Sequence, residues 1–111
     1  MNALKNRVQL IGNLGQDPEI VSLDDGKKLA KFSLATHDSY KNEKGDRVEK
    51  TEWHNVVAWG KAADIIENYT FKGKMIAVDG KLRTTSYEDK EGVTRRNTEI
   101  VLSEVLLLGA K

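Results

Sequence analysis

Trp53 and Trp59 stand six residues apart, an even spacing that on a β-strand projects both rings from one face, with polar Asn55 between them. The opposite parity carries His54, Val56 and Ala58, the last two small enough for the inside of a narrow barrel. Tryptophans on an outer face expose apolar area that solubility alone does not favour. A stacking platform for nucleic-acid bases accounts for it, at roughly 1–3 kcal/mol per base; so does a cover for a barrel end or a subunit interface. The residues by themselves leave both open. Tyr40 and Tyr87 lie in or beside two polar segments that offer a ring no core, the first near Lys41 and Lys44, the second near Lys81, Arg83 and Lys90. Lys81, Arg83 and Tyr87 also share strand parity. Cations that follow phosphates, interleaved with rings that accept any base, are what a groove for single strands requires. Each lysine taken singly reads as a solvated surface charge. Phe32 and Tyr69 fall on otherwise apolar faces and are expected in the core, whereas Phe71 suits either environment.

Catalytic chemistry has no comparable pattern. His37 and His54 are the only histidines and there is no cysteine, which excludes disulfides, thiol catalysis and cysteine-based zinc sites. Asp24-Asp25-Gly26 reads as a turn, and Gly60-Lys61 lacks the glycine-rich lead of a phosphate-binding loop. His54, on the inward parity of its strand, suits a hydrogen-bonded core or interface position. An enzyme is not expected, nor a metal or cofactor.

The elements that must position these residues are mostly strands. Val8 and Leu10 alternate with polar neighbours, Asp17-Pro18 holds the single proline and turns the chain, and Ile20, Val21 and Leu23 form a short strand stopping at Asp24-Asp25-Gly26. Ala30, Phe32 and Leu34 mark a further strand stretch over Lys28 to Thr36, or the continuation of a long bent one. Residues 38–50 are too polar for a core element and predict a long hairpin loop turning near Gly45-Asp46. Thr51 to Trp59 resumes the alternation. Ala62, Ile65, Ile66 and Tyr69 have helical spacing, with Lys72-Gly73 as the stop. Ile76, Val78 and Leu82 mark the next strand and Ile100 and Leu102 the last, with a hairpin around residues 88–92 between them. Three strand stretches, one short helix and two more strands predict an all-β fold, a five-stranded Greek-key barrel of the OB type with its helix between strands 3 and 4. An SH3-like barrel of this size needs no such helix.

The 111 residues fit a single domain spanning 1–111, and 28 of them are Leu, Ile, Val or Phe, enough to build a core. Eighteen basic side chains nearly cancel seventeen acidic ones, leaving a net charge of +1. That balance excludes a polycation held to nucleic acid by bulk charge, though not a locally basic groove. No apolar run is longer than that from Val105 to Leu108, far short of a membrane span, and the first residues have no signal-peptide stretch. A cytoplasmic, nucleoid-associated protein is the expectation.

Several segments together resemble the bacterial single-stranded DNA-binding proteins. They are residues 13–19 (Asn-Leu-Gly-Gln-Asp-Pro-Glu), Phe32 to Thr36, Thr51-Glu52-Trp53-His54 leading into Val56-Val57, Trp59-Gly60-Lys61, Lys72-Gly73, and Gly80 to Thr84. Each is weak alone; in order, and from about Asn6 to Leu108, they are specific. The resemblance implies an OB-fold that binds single-stranded DNA with little sequence preference during replication, recombination and repair, as a homotetramer. It lends base stacking to Trp53, and also to Tyr40, Trp59 and Tyr87, where the ring type varies in the family. It lends phosphate contact to Lys61, Lys72 and Arg83, and a subunit contact to His54. Family members usually continue into a flexible linker and an acidic tail that recruits replication and repair proteins. This sequence ends at Leu108-Gly109-Ala110-Lys111 with neither, so partners captured through such a tail are not expected for it. A primosomal replication-restart OB protein, acting mainly as a protein-docking module, is the alternative; it would not be expected to keep this full set of exposed aromatics. An RNA-binding OB module differs in its treatment of the 2′-hydroxyl, and nothing in the residues decides DNA over RNA.

Overall fold

The computed structural model describes residues 5–109. In chain order these form β1 (Val8–Leu14), β2 (Glu19–Ser22), β3 (Lys28–Lys41), β4 (Arg47–Trp59), α1 (Lys61–Tyr69), β5 (Met75–Glu88) and β6 (Thr94–Leu107). The strands hydrogen-bond in the order β1-β5-β6-β4-β3-β2, and β1 also pairs with β3 through Asn13↔Ala35 and Leu14↔Leu34. That last pairing closes a five-stranded barrel of β1, β3, β4, β5 and β6, with β2 on the outer edge of β3. Closure removes the exposed edges that an open sheet would present. The helix lies between β4 and β5, not between the third and fourth strands as expected, because Glu19–Ser22 is a separate strand and adds one to the count.

The barrel is filled as the alternation predicts. Phe32, Leu34, Val56, Ile76, Ile100 and Leu102 meet inside, and α1 plugs one end with Ala63 and Ile66. Leu34, Ile66 and Ile76 are fully enclosed; truncating any one to alanine would cost about 2–5 kcal/mol. Lys28 staples the helix to β3, its ammonium meeting Asp64 at 2.8 Å and Glu67 at 2.6 Å. The hydrogen bonds to Asp64 and then Glu67 hold its proton more firmly than in an ordinary lysine.

Tyr69 is not in the core: it is 60% exposed. The buried stripe runs Ala63, Ile66 and then Thr70, whose hydroxyl donates to the Ile66 carbonyl. The three-then-four spacing takes Thr70 into the barrel mouth and turns Tyr69 about 100° away from it. Phe71 is likewise exposed. The polar stretch 38–50 is strand rather than loop: the β3–β4 ladder continues through Tyr40↔Val48 to Lys41↔Arg47, and only residues 42–46 turn. A ribbon projecting from the barrel has solvent on both faces, so its ladder needs no apolar residues to persist. No helix among the described residues is long and apolar enough to cross a membrane.

Candidate nucleic-acid interface

Register decides which side chains share a surface, because residues directly opposite in a ladder point to the same face. Trp53 lies opposite Ala35, Asn55 opposite Ser33, Val57 opposite Lys31 and Trp59 opposite Leu29. Ala58 and Val56, one residue out of phase, are buried in the core. The two tryptophans therefore stand on the outer face, Trp53 62% and Trp59 39% exposed. Val57 lies between them on the same face but is buried. It is paired with Lys31 on one side and with Val101 of β6 on the other, through the short parallel contact of β4 and β6.

That contact carries the tryptophan face onto the second long ribbon. Val101 faces Lys81, Glu99 faces Arg83, Asn97 faces Thr85 and Arg95 faces Tyr87. A bulge makes this possible. Asp79 pairs with Glu104 while Gly80 pairs with Leu102, so Ser103 is an extra residue that inverts the parity of β6. Below it Val105 faces inward; above it Leu102 and Ile100 do, and Val101, Glu99, Asn97 and Arg95 turn out. Lys81, Arg83 and Tyr87 thus share one surface with Trp53 and Trp59.

Tyr40 is placed differently. It lies opposite Val48, on the parity of His54 and not of Trp53, so it stands on the other face of the β3–β4 ribbon. His54 is half-buried, its Nε2 3.0 Å from the Thr36 hydroxyl on the neighbouring strand.

Lys61 opens α1 two residues after Trp59. Between them Gly60 has φ +60, a left-handed conformation that glycine adopts without strain and that turns the strand into the helix. Lys72 sits in the loop before β5, and that loop is clamped by the end of β1 and the segment that follows it. The Lys72 N–H donates to Asp17 Oδ1 at 2.8 Å, the Gly73 N–H to the Leu14 carbonyl at 2.8 Å, and Asn13 Nδ2 to the Gly73 carbonyl at 3.0 Å. Asn13 and Asp17 are positioning residues that sequence reasoning noticed only as a motif. Gly15 in the same motif is a third: a Cβ built there would overlap the six-membered ring of Trp53 and come within 3.0 Å of the Ser33 hydroxyl. The six-membered ring of the indole thus lies against the Gly15 backbone, and a residue without a side chain leaves it room there. Lys31, opposite Val57 and between the tryptophans on the side of Trp59, was also missed as a site residue. Its place on the polar parity of β3 was the available signal.

The cations on and around the face fall into two kinds. Arg83 Nη2 is 2.7 Å from Glu99 Oε1, and Arg95 Nε is 2.9 Å from Asp89 Oδ2. Among the described residues, Lys31, Lys61, Lys72 and Lys81 make no ion pair.

A closed OB-type barrel with aromatic rings and cations on one continuous outer surface has the form of a nucleic-acid-binding module. A family model described as the single-strand binding protein family matches residues 5–108, and the chain belongs to that family. It is 45% identical over 107 residues to single-stranded DNA-binding protein 1 of Chlorobaculum tepidum, covering 96% of this chain and 66% of that protein. It is 46% identical over 107 residues to single-stranded DNA-binding protein 1 of Xylella fastidiosa, covering 96% of this chain and 79% of that one. The chain thus spans about two thirds of the first of these relatives. Among solved structures, it resembles a chain of the Plasmodium falciparum SSB complex with ssDNA. The TM-score is 0.87 at 33% identity, covering 94% of this chain and 95% of that one. A deletion mutant of the single-stranded DNA binding protein from Thermus aquaticus shares the fold at TM-score 0.82 and 24% identity, over 96% of this chain and 51% of that one.

Proposed function

We propose that this chain binds single-stranded DNA with little sequence preference, as a protective coat on strands exposed in replication, recombination and repair. The observation that carries the reading is the register that sets exposed Trp53, Trp59 and Tyr87 on one face with Lys31, Lys81 and Arg83. Trp53 and Trp59 stack bases on the β3–β4 ribbon and Tyr87 extends the track along β5–β6. Tyr40, on the opposite face of its ribbon, meets a strand that has passed around the ribbon edge. Lys61 and Lys72 meet phosphates at the barrel end, and Arg83 meets the strand beside Tyr87. The protein is a cytoplasmic binder and not a catalyst.

A homotetramer is part of the reading. On the β1–β5–β6 side, Ile11, Ala77 and Leu106 are aligned across three strands, with Ile11 and Leu106 among the most exposed apolar residues. Such a rank of apolar side chains on a small barrel is surface for another copy, and His54 belongs to a second contact between copies. Light scattering at micromolar concentration should return four chain masses, and Leu106→Glu a smaller assembly; a monomer mass for the parent would refute the tetramer.

Titrating tryptophan fluorescence with oligo-dT and oligo-U at two salt concentrations tests the binding. Quenching by oligo-dT that weakens with salt is expected. Equal or tighter binding of oligo-U would move the reading to RNA, and no response to either would end it.

A further inference from the structure

We propose that Glu99 is a built-in counter-charge for Arg83, so that Arg83 orients the bound strand without adding to the salt dependence of binding. The proposal rests on the single-strand reading above and concerns how one cation of that face acts. Glu99 and Arg83 are directly opposite on β6 and β5. They are joined at 2.7 Å, yet the two partners are unequally placed: the Glu99 side chain is 13% exposed and that of Arg83 46%. The carboxylate lies at the edge of a recess whose other charged walls are Asp17, Glu19 and Lys31. Two of those three are acidic, so withdrawing Arg83 would leave a largely covered anion in a recess whose lining is net negative. A carboxylate so covered and left unpaired is strongly destabilising. An exposed phosphate meeting Arg83 from solvent offers less in return.

Arg83 therefore keeps Glu99 when a strand arrives. A guanidinium has five N–H donors in a rigid fork, and the bond to Glu99 engages one nitrogen. The remaining donors face the strand as a fixed hydrogen-bonding plane on the same face as Tyr87, four residues along β5. Its charge is already matched, so it displaces no counterion. Lys61, Lys72 and Lys81 have no such partner among the described residues, and their phosphate contacts carry the salt dependence. The face then presents fewer effective cations than its count of basic residues suggests.

The test is the slope of log K against log salt for oligo-dT binding by the whole chain. One phosphate neutralised on a single strand adds about −0.7 to that slope, or about a 2.6-fold change in affinity between 50 and 200 mM salt. Glu99→Gln should steepen the slope by about one such contact and tighten binding at low salt, because Arg83 becomes an unmatched cation. The double variant Arg83→Gln with Glu99→Gln should return the slope of the parent, since one neutral pair has replaced another. An unchanged slope in Glu99→Gln, or a double variant flattened by one contact, would show that Arg83 leaves Glu99 for phosphate and would overturn the proposal. If Glu99→Gln loses its circular dichroism signature, the double variant, which strands neither charge, decides alone. Lys61→Gln and Trp53→Ala separate this from the reading beneath it. If both weaken binding while the Glu99 and double variants fail as described, only the counter-charge is wrong. If neither matters, strands do not run over this face and both ideas fall.

Discussion

The two long ribbons are built alike at their tips and yet serve the outer face unequally. In β3–β4, Asn42 takes the bonds of the turn: its Oδ1 accepts from the Lys44 and Asp46 N–H groups at 2.9 and 3.0 Å. In β5–β6, Asp89 does the same for the Glu91 and Val93 N–H groups, both at 2.9 Å. Both turns carry a glycine with positive φ three residues later, Gly45 and Gly92, and both are preceded at two residues by an exposed tyrosine, Tyr40 and Tyr87. Locally the two are near copies. Their tyrosines nonetheless reach different surfaces, Tyr87 sharing the tryptophan face and Tyr40 the His54 face. The face a residue presents is inherited from the register at the barrel, several residues away, where a ladder cannot slip without turning its apolar set outward. Similar turns do not make equivalent sites.

The sharpest way to break this comparison is to remove the more exposed of the two tryptophan rings. Trp53→Ala should weaken binding by roughly 1–3 kcal/mol, with a similar loss on dT and dC strands. Thermal unfolding and light scattering must show the variant folded and assembled. If such a variant binds as tightly as the parent, the tryptophan face is structural and the comparison concerns packing only. Gly15→Ala leaves the ring in place but denies it its seat on the backbone. It should reproduce part of the Trp53→Ala effect while changing the unfolding temperature little, because the one atom closer than 3.0 Å lies at the far end of the Trp53 side chain. A variant with full affinity would mean that this contact is not used in binding.

The tyrosines give the direct contrast. Tyr87→Ala should cost more affinity than Tyr40→Ala, and the gap should widen on oligonucleotides too short to pass around the β3–β4 ribbon. Equal losses on the shortest strand bound would mean that both faces of that ribbon are in contact from the start.

The smallest effect concerns the tips. Asn42 does not titrate, but Asp89 does. The Arg95 guanidinium, helped by the Val93 and Glu91 N–H groups, holds its carboxyl below the ordinary value of 3.8. A carboxyl held lower in the folded chain stabilises it fully above its unfolded value, and the contribution is lost as the pH falls through the folded one. In an acid titration followed by NMR, the amide shift of Val93 should follow the Asp89 carboxyl through a step below the ordinary aspartate range, whereas that of Lys44, whose acceptor is the Asn42 amide, should show no such low step. Asp89→Asn, which keeps the acceptor and removes the charge, should abolish the difference. Parallel movement at both tips would place the titrating group elsewhere.

The sequence by itself determined the alternation that separates Trp53 and Trp59 from Val56 and Ala58, the helical spacing of Ala62 to Tyr69, and the turn chemistry of Gly45 and Gly92. These are local matters, set by side-chain period and by which residues tolerate positive φ. The tertiary structure alone decided the rest. The Ser103 bulge, with no marker in composition, inverts the parity of β6 and so brings Glu99 against Arg83. Polar residues 38–41 and 47–50 became strand because a projecting ladder is held by its backbone bonds and not by burial. Tyr69 left the core because one turn of helix gives a single stripe, and Thr70 took it. Asn13, Gly15 and Asp17 acquired their roles from a loop some fifty-five residues on and from the Trp53 ring of another strand. Whether a basic residue is a free charge or half of a pair is likewise a distance between strands, which no spacing along one strand contains.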